Sequence, residues 1–360
     1  MNAALRRLRD LRKGLAAGRE SALLATNPIS VGYLAGARDA AWALVTPNRA
    51  ILCSSPLGYE AARRSVRAPW TVLVPGAGRL KPLLSRLGIH RVGFEADAVT
   101  HAAAVRLRSS IGDSAMLVPL SGLVEACREV KDAGELDAIR RAGAIAAAAG
   151  AQLPWILREG MTEAQAAAAL DVRMRELGAA GPSFETILLF GWRSALPHGV
   201  PGPRRLAPGD FVLADFGALV DGYASDCTRT WVWRRATARQ RRTYGAVARA
   251  YRAGRAAVRP GIATGKVDDA ARRALGPLRS RFIHGLGHGV GLEIHERPRL
   301  ARGEKTILRP GMVVTVEPGV YFGRWGGIRL EDTVIVTARG AESITGAPAA
   351  DLPVIGSGLP

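Results

Sequence analysis

The chain opens with leucines at 5, 8, 11 and 15 set among arginines, so residues 1–19 are expected to form a surface helix that packs a leucine stripe inward. From residue 21 to about 120, short apolar runs alternate with stretches of helical period. Segments 21–26, 41–45, 50–53, 71–74 and 91–94 read as strands, and 59–67, 79–87 and 100–108 as helices. That alternation predicts an α/β domain with helices covering a mixed sheet. Around 121–132 the chain turns polar and then alanine-rich. Ile139, Ala142, Ile145, Ala149, Leu153 and Ile156 recur at helical spacing and predict a helix over 135–157, bent at Pro154. The domain boundary is placed near residue 128, giving domains 1–128 and 129–360.

The second region repeats itself. Gly160-Met-Thr-Glu163 and a helix closing on Glu176-Leu-Gly178 are echoed by Gly261-Ile-Ala-Thr264 and a helix closing on Ala274-Leu-Gly276. Leu206-Ala-Pro-Gly-Asp-Phe-Val-Leu-Ala-Asp-Phe-Gly217 aligns, 102 positions later, with Leu308-Arg-Pro-Gly-Met-Val-Val-Thr-Val-Glu-Pro-Gly319, which sets Asp215 on Glu317. Asp226-Cys-Thr228 resembles Glu331-Asp-Thr333. Each half thus contributes two carboxylates, and a pseudo-twofold arrangement would gather all four at the centre of one sheet.

Composition narrows the chemistry. With 48% hydrophobic and 22% charged residues among 360, the chain reads as an ordinary soluble globular protein, and no run approaches the roughly 18 apolar residues of a membrane helix. Three widely spaced cysteines (Cys53, Cys127, Cys227) make neither a disulfide framework nor a thiolate metal pair, and point to a reducing cytoplasm. The net charge of +19 is conspicuous, yet it comes from scattered arginines, with only 6% aromatic residues. That pattern describes a solvated basic surface, whereas nucleic-acid sites show clustered stripes interleaved with aromatics.

Four carboxylates buried together repel one another and are costly unless protonated or neutralised by cations. Two divalent ions would supply +4 against −4. Histidine usage agrees: of six histidines, His198, His284, His288 and His295 lie in this region, three of them within Phe282-Ile-His-Gly-Leu-Gly-His-Gly-Val-Gly-Leu-Glu-Ile-His-Glu296. The alternating glycines there argue against a helix and for close backbone approach to a site. Oxygen-rich ligation with a few imidazoles suits Mn, Co, Fe or Zn, and a metal pair activates water and polarises a carbonyl, which is hydrolytic chemistry. Other motifs fail. Gly261-Ile-Ala-Thr-Gly-Lys266 is one residue short of a phosphate loop and is followed by Val267; Asp215-Phe-Gly217 lacks the other kinase motifs; no Gly-x-Ser-x-Gly is present.

The order Asp215, Asp226, His288, Glu317, Glu331 resembles the dinuclear centre of the pita-bread metallopeptidases, the family of methionine aminopeptidase, aminopeptidase P and prolidase. The flanking motifs resemble it too: Ser194-Ala-Leu-Pro-His-Gly199, Asp226-Cys-Thr-Arg-Thr230, His284-Gly-Leu-Gly-His-Gly-Val-Gly291, Ile294-His-Glu296, Glu317-Pro-Gly-Val-Tyr321 and Arg329-Leu-Glu-Asp-Thr333. The N-terminal part is similar to the creatinase-type N-terminal domain at Asn27-Pro-Ile-Ser-Val-Gly-Tyr-Leu-Ala-Gly36 and Gly93-Phe-Glu95. The resemblance implies an α/β creatinase-like domain followed by an α+β pita-bread catalytic domain with an internal pseudo-twofold repeat.

Methionine aminopeptidases generally lack the first domain, so the resemblance implies the proline-specific branch. That is a hydrolase cleaving between an N-terminal residue and a following proline, as Xaa-Pro aminopeptidase or Xaa-Pro dipeptidase, by a metal-bridging hydroxide. It implies two divalent ions (manganese, with cobalt, zinc or iron as other occupants), a proline-containing peptide substrate and a cytoplasmic homodimer, with no nucleic-acid or membrane partner. By the same resemblance Asp226 would be bidentate to one metal, His288 would complete the other, and Asp215 and Glu331 would bridge the pair. Glu317 would bind metal and shuttle a proton to the leaving proline nitrogen. His198 and His295 would hydrogen-bond substrate and stabilise the tetrahedral intermediate, His284 would line the leaving-group side, and Tyr321 and Arg329 would stand either behind the metal ligands or on the prolyl side. Catalytically idle binding proteins of this architecture, and the metal-independent amidinohydrolase creatinase, lack this ligand set; here all five positions are filled.

Overall fold

The computed structural model describes residues 3–18, 20–66, 68–73 and 79–356. The chain folds as two compact units, one up to Cys127 and one from Arg128 onward. Among the described residues no helix is long and apolar enough to cross a membrane.

In the first unit a helix Ala3–Ala17 buries Leu8, Leu11 and Leu15. Leu5 does not join the stripe: it is 45% exposed in the first turn, and the buried face begins one turn later. Residues 1, 2 and 19 of the expected helix lie outside the described residues. A six-stranded sheet runs in the order Trp70–Leu73, Ala50–Ser54, Ala40–Val45, Leu23–Ala25, Arg91–Glu95, Met116–Leu120, antiparallel in the middle and parallel at both flanks. Each of the five expected strands is present, the one at 71–74 as Trp70–Leu73, with residue 74 outside the described residues.

Elements that went unread in the sequence include Met116–Leu120, Pro28–Ala35 and Leu123–Arg128. Met116–Leu120 is an edge strand with an exposed Met116, and its apolar run carries Pro119, a residue that counts against a strand. The short helix Pro28–Ala35 starts from Asn27, whose side chain accepts from Ile29 N at 2.9 Å, with Pro28 in the first turn. Glu95 accepts from Thr26 N (3.0 Å) and Asn27 N (3.2 Å), which ties the Gly93-Phe-Glu95 motif to that cap.

The second unit contains the repeat as structure. Helices Ala133–Ile156 and Glu163–Glu176 back a four-stranded sheet in the order Val354–Ile355, Cys227–Trp233, Phe211–Phe216, Ile187–Phe190. Helices Ala238–Ala257 and Thr264–Leu275 accompany a five-stranded sheet in the order Glu296–Leu300, Gly287–Gly289, Val313–Val316, Asp332–Val336, Ala341–Ser343. Each half has its own core, around Leu153, Leu170 and Val212 in one and Tyr251, Val267 and Val314 in the other. Pro154 sits in the last turn of Ala133–Ile156, and the helix ends two residues beyond it.

The repeated Leu-x-Pro-Gly segment makes the same turn twice. Asp210 N donates to Ala207 O and Met312 N to Arg309 O, each at 3.1 Å. Gly209 and Gly311 both have φ +88°, the left-handed value a type II turn requires after proline. Behind each turn, Leu206 and Leu308 exchange backbone bonds with Gly160–Met161 and Gly261–Ile262 at 2.9–3.0 Å.

The expectation of one sheet is corrected. The halves form separate ladders that meet through single bonds: Glu331 N donates to Thr228 O (3.2 Å) and Thr230 Oγ1 to Arg329 O (2.9 Å). The reason is local: Arg329 ends a separate two-stranded hairpin, Gly319–Phe322 with Gly326–Arg329, and its N donates to Thr230 Oγ1 (3.3 Å), so a side chain stands where a ladder bond between the halves would be.

Candidate metal centre

The five expected ligands come from both halves of the repeat. Asp215 lies near the end of strand Phe211–Phe216, and Asp226 immediately precedes the neighbouring strand Cys227–Trp233. Glu317 follows Val313–Val316 directly, and Glu331 precedes Asp332–Val336. His288 stands in the three-residue strand Gly287–Gly289. The glycines around it are sterically required: a Cβ on Gly287 would collide with the Thr315 carbonyl, and one on Gly289 with that of Arg297.

Carboxylate oxygens of Asp215, Asp226 and Glu331 lie within 4.8 Å of one another. His288 Nε2 is 3.5 Å from Asp226 Oδ2 and 3.4 Å from Glu317 Oε1, which brings all five residues into one cluster. Asp215 Oδ1 and Glu331 Oε1 are buried without a hydrogen-bond partner, a costly state that a bound cation would relieve. The imidazole is prepared in the same sense. His288 Nδ1 faces its backbone acceptor Gly289 O at 3.1 Å, so the proton belongs on Nδ1 and the Nε2 lone pair is left towards the carboxylates. The donor set therefore fits divalent metal.

The electrostatics agree. Burial, with Glu331, Asp215 and Glu317 adding to it, raises Asp226 well above the usual carboxylate range. Burial likewise raises Glu331, and pushes Glu317 up to about 8 against the pull of Arg329. Burial lowers His288 to about 4, with His295 alongside contributing, so the ring is neutral at physiological pH.

Residues not foreseen complete the shell. Thr228 Oγ1 donates to Glu331 Oε2 (2.6 Å), and Thr315 Oγ1 to Glu317 Oε1 (3.3 Å). Strand alternation could have found Thr228, which shares a face with Asp226. Arg329 is buried, and its three donor nitrogens go to Asp215 Oδ2 (2.5 Å), Tyr321 Oη (2.9 Å) and Thr228 Oγ1 (3.1 Å). This corrects the expected charge balance. The cluster contains its own cation, so two divalent ions meet a net −3 in place of −4. Arg329 supports Asp215 and Tyr321, and its nitrogens are committed to those partners instead of to a prolyl group.

Tyr321 is also buried. Its hydroxyl accepts from Arg329 and lies 2.9 Å from His284 Nε2, while His284 Nδ1 faces Gly285 O at 2.8 Å. The tyrosine proton is thus directed to His284, which burial holds neutral with a pKa of about 4. His295 stacks edge-on against His288 with ring centroids 4.3 Å apart, and His198 is near enough for its charge to lower both His284 and His295. Both His198 and His295 are exposed. All four histidines expected at the site are therefore grouped there.

Carboxylates and imidazole gathered from two structural repeats define a metal-dependent hydrolase of pita-bread architecture. The family model "Metallopeptidase family M24" matches residues 137–338, and "Creatinase/Prolidase N-terminal domain" matches residues 7–130. The chain belongs to metallopeptidase family M24, and membership implies use of divalent metal. A Xaa-Pro dipeptidase of Pyrococcus horikoshii is 34% identical over 332 residues, covering 91% of this chain and 92% of that one. The solved Xaa-Pro dipeptidase of Bacillus anthracis superposes with a TM-score of 0.93 at 34% identity, covering 98% of this chain and all of that one (100%). An X-Pro aminopeptidase of Thermotoga maritima superposes at 0.86 with 29% identity, covering 95% of this chain and 100% of that one.

Proposed function

We propose that the protein hydrolyses the peptide bond between an N-terminal residue and a following proline. Relatives named for Xaa-Pro dipeptidase and for X-Pro aminopeptidase activity align over nearly the whole chain, which supports a Xaa-Pro peptidase acting on short peptides. The observation that carries the reading is the convergence of Asp215, Asp226, His288, Glu317 and Glu331, with buried unpaired oxygens on Asp215 and Glu331.

These five residues would hold two divalent ions, manganese in our reading. Bound there, the ions supply Lewis-acid polarisation of the scissile carbonyl and acidify water. Glu317, whose Oε1 accepts from Thr315 Oγ1, would accept a proton and pass it to the leaving proline nitrogen. His198 and His295 are the exposed donors available to the carbonyl oxygen as it gains charge. His284, oriented by Tyr321, lines the leaving-group side. The three cysteines are free, and burial raises Cys127 to about 11 and Cys227 to about 12, so neither thiol is disposed to ligate metal. Free thiols also accord with a cytoplasmic enzyme, and the homodimer expected from the resemblance is checked by analytical ultracentrifugation.

The test compares hydrolysis of Ala-Pro with that of a longer Ala-Pro-extended peptide, each with Mn²⁺ and again after chelation. Metal-dependent cleavage after the first residue is expected, and the ratio of the two rates assigns dipeptidase or aminopeptidase preference. Absence of metal-dependent cleavage of both peptides would overturn the reading.

A further inference from the structure

His198 lies on an exposed loop, between the turn Gly191–Ala195 and the Leu206 bridge, and its neighbours Leu196 and Val200 are exposed as well. A donor that must meet a developing charge cannot be left on a freely moving loop, because misplacement by about 1 Å costs on the order of 100-fold in rate. The loop is held by one carboxylate. Glu163, the first residue of helix Glu163–Glu176, is 0% exposed. Its Oε1 accepts from Phe190 N at the loop's entry, and its Oε2 from Gly202 N at the exit, each at 2.9 Å. Arg193, inside the loop, donates Nε to both Glu163 oxygens (3.1 and 2.9 Å) and Nη2 to Val200 O (2.6 Å), two residues past His198.

The other half of the repeat solves the same problem with different residues. Thr264 stands at the Glu163 position: Glu163 N donates to Arg204 O (3.0 Å) and Thr264 N to Thr306 O (2.9 Å). Thr264 carries no acid, and the carboxylate comes one turn later from Asp268, also 0% exposed. Asp268 accepts from Leu286 N (3.0 Å) and from Arg272 Nε (2.6 Å), while Arg272 donates to Phe282 O (2.9 Å) and to His284 O. A buried acid on the second helix of each half, paired with an arginine, clasps a loop that bears a histidine. Because the arginine comes from the loop in one half and from the helix in the other, the device is not carried along merely by the repeat. A fully buried carboxylate is expensive to maintain for packing alone.

We propose that Glu163 and Arg193 are a positioning pair that sets the place of His198 over the metal centre, acting through the loop without touching substrate. The proposal rests on the Xaa-Pro peptidase reading and on His198 as a substrate donor. Arg193 is the side chain to change, since it is 24% exposed on its side-chain surface and its removal leaves the Glu163 backbone bonds in place.

The experiment is a double-mutant cycle of Arg193→Met and His198→Ala on Ala-Pro hydrolysis by the Mn²⁺-loaded enzyme. Hydrogen–deuterium exchange of residues 195–203 is followed in the metal-free protein. Arg193→Met is expected to lower kcat/KM by about 10- to 100-fold with metal content unchanged. It should change the rate by less than about twofold when His198 is already alanine, and it should speed exchange in the loop. Arg193→Lys should recover part of the loss, because an ammonium reaches Glu163 but cannot hold Val200 O in the same fork. Multiplicative losses in the double variant, or unchanged exchange, would overturn the positioning role while leaving the peptidase reading intact. An unaltered rate in His198→Ala alone would remove the assigned role of His198 and the proposal with it.

Discussion

Two buried clusters of acid in the second unit behave in opposite ways. Around the metal centre, Asp215, Asp226, Glu317 and Glu331 share one internal cation, Arg329, and burial raises Asp226, Glu317 and Glu331 above their ordinary values. Beside it, Glu296 meets both Arg128 and Lys131 (3.3 Å), while the half-buried Glu293 shares Arg128 (2.7 Å). Glu296 is lowered, although burial alone would raise it. The side-chain exposures are similar, 8% for Asp226 and 5% for Glu296. Burial therefore does not separate the clusters; internal counter-charge does. Glu296 is neutralised from within, immediately after His295, whereas the four carboxylates are left in deficit where a cation from solution is wanted.

The comparison can be broken first at the ligands. Asp226→Asn should lower kcat/KM for Ala-Pro by more than about 100-fold, beyond the 10- to 100-fold typical of residues that only support a ligand. In the metal-free protein it should leave the melting temperature unchanged or higher, since it removes repulsion. Steady-state kinetics, metal analysis and thermal melts check this, and a chelated Asp226→Asn that melts well below the chelated wild type would break the contrast.

The same acid-to-amide change at Glu296 should go the other way. Glu296→Gln leaves Lys131 and much of Arg128 buried without a partner and is expected to destabilise by about 3 kcal/mol, read by denaturant unfolding.

A smaller and more diagnostic effect follows from pH. Glu317, at about 8 in the fold against an ordinary 4.5, keeps its proton in the folded chain after the unfolded chain has lost it. Its contribution is complete below about pH 4.5 and is lost as pH rises towards 8, and Asp226 and Glu331 act in the same direction. Glu296 has the opposite sign: its contribution is present above its ordinary pKa and lost as pH falls through the depressed one. The chelated protein should therefore melt at lower temperature at pH 8 than at pH 5.5. Mn²⁺ should stabilise it more at pH 8, because ligation requires the deprotonated carboxylates. Equal stabilisation at both values would contradict the raised carboxylates.

The central strands of the first unit were readable because each is a closed apolar run bounded by turn residues, as at Ala50–Ser54. Met116–Leu120 was not, since Pro119 inside its apolar run counts against a strand and is tolerated only because the strand lies at an edge. The four carboxylates were readable because an acid pair recurred in each half beside a Pro-Gly turn, and that turn is local chemistry written in adjacent residues, whereas His288 was singled out as a ligand only by the family resemblance. Leu5 illustrates the converse. Its spacing matches Leu8, Leu11 and Leu15, but burial depends on what packs over the turn, which spacing does not encode.

By itself, then, the sequence determined the repeat, the positions of the acids and the glycines that admit His288, because turns, strand ends and steric gaps depend on neighbouring residues. Only the tertiary structure decided which acids are balanced. Arg329 reaches Asp215 across 114 positions and Arg128 reaches Glu296 across 168, and Arg193 clasps Glu163 across 30. Counter-charge acts through distance in space, and the chain order does not record that distance.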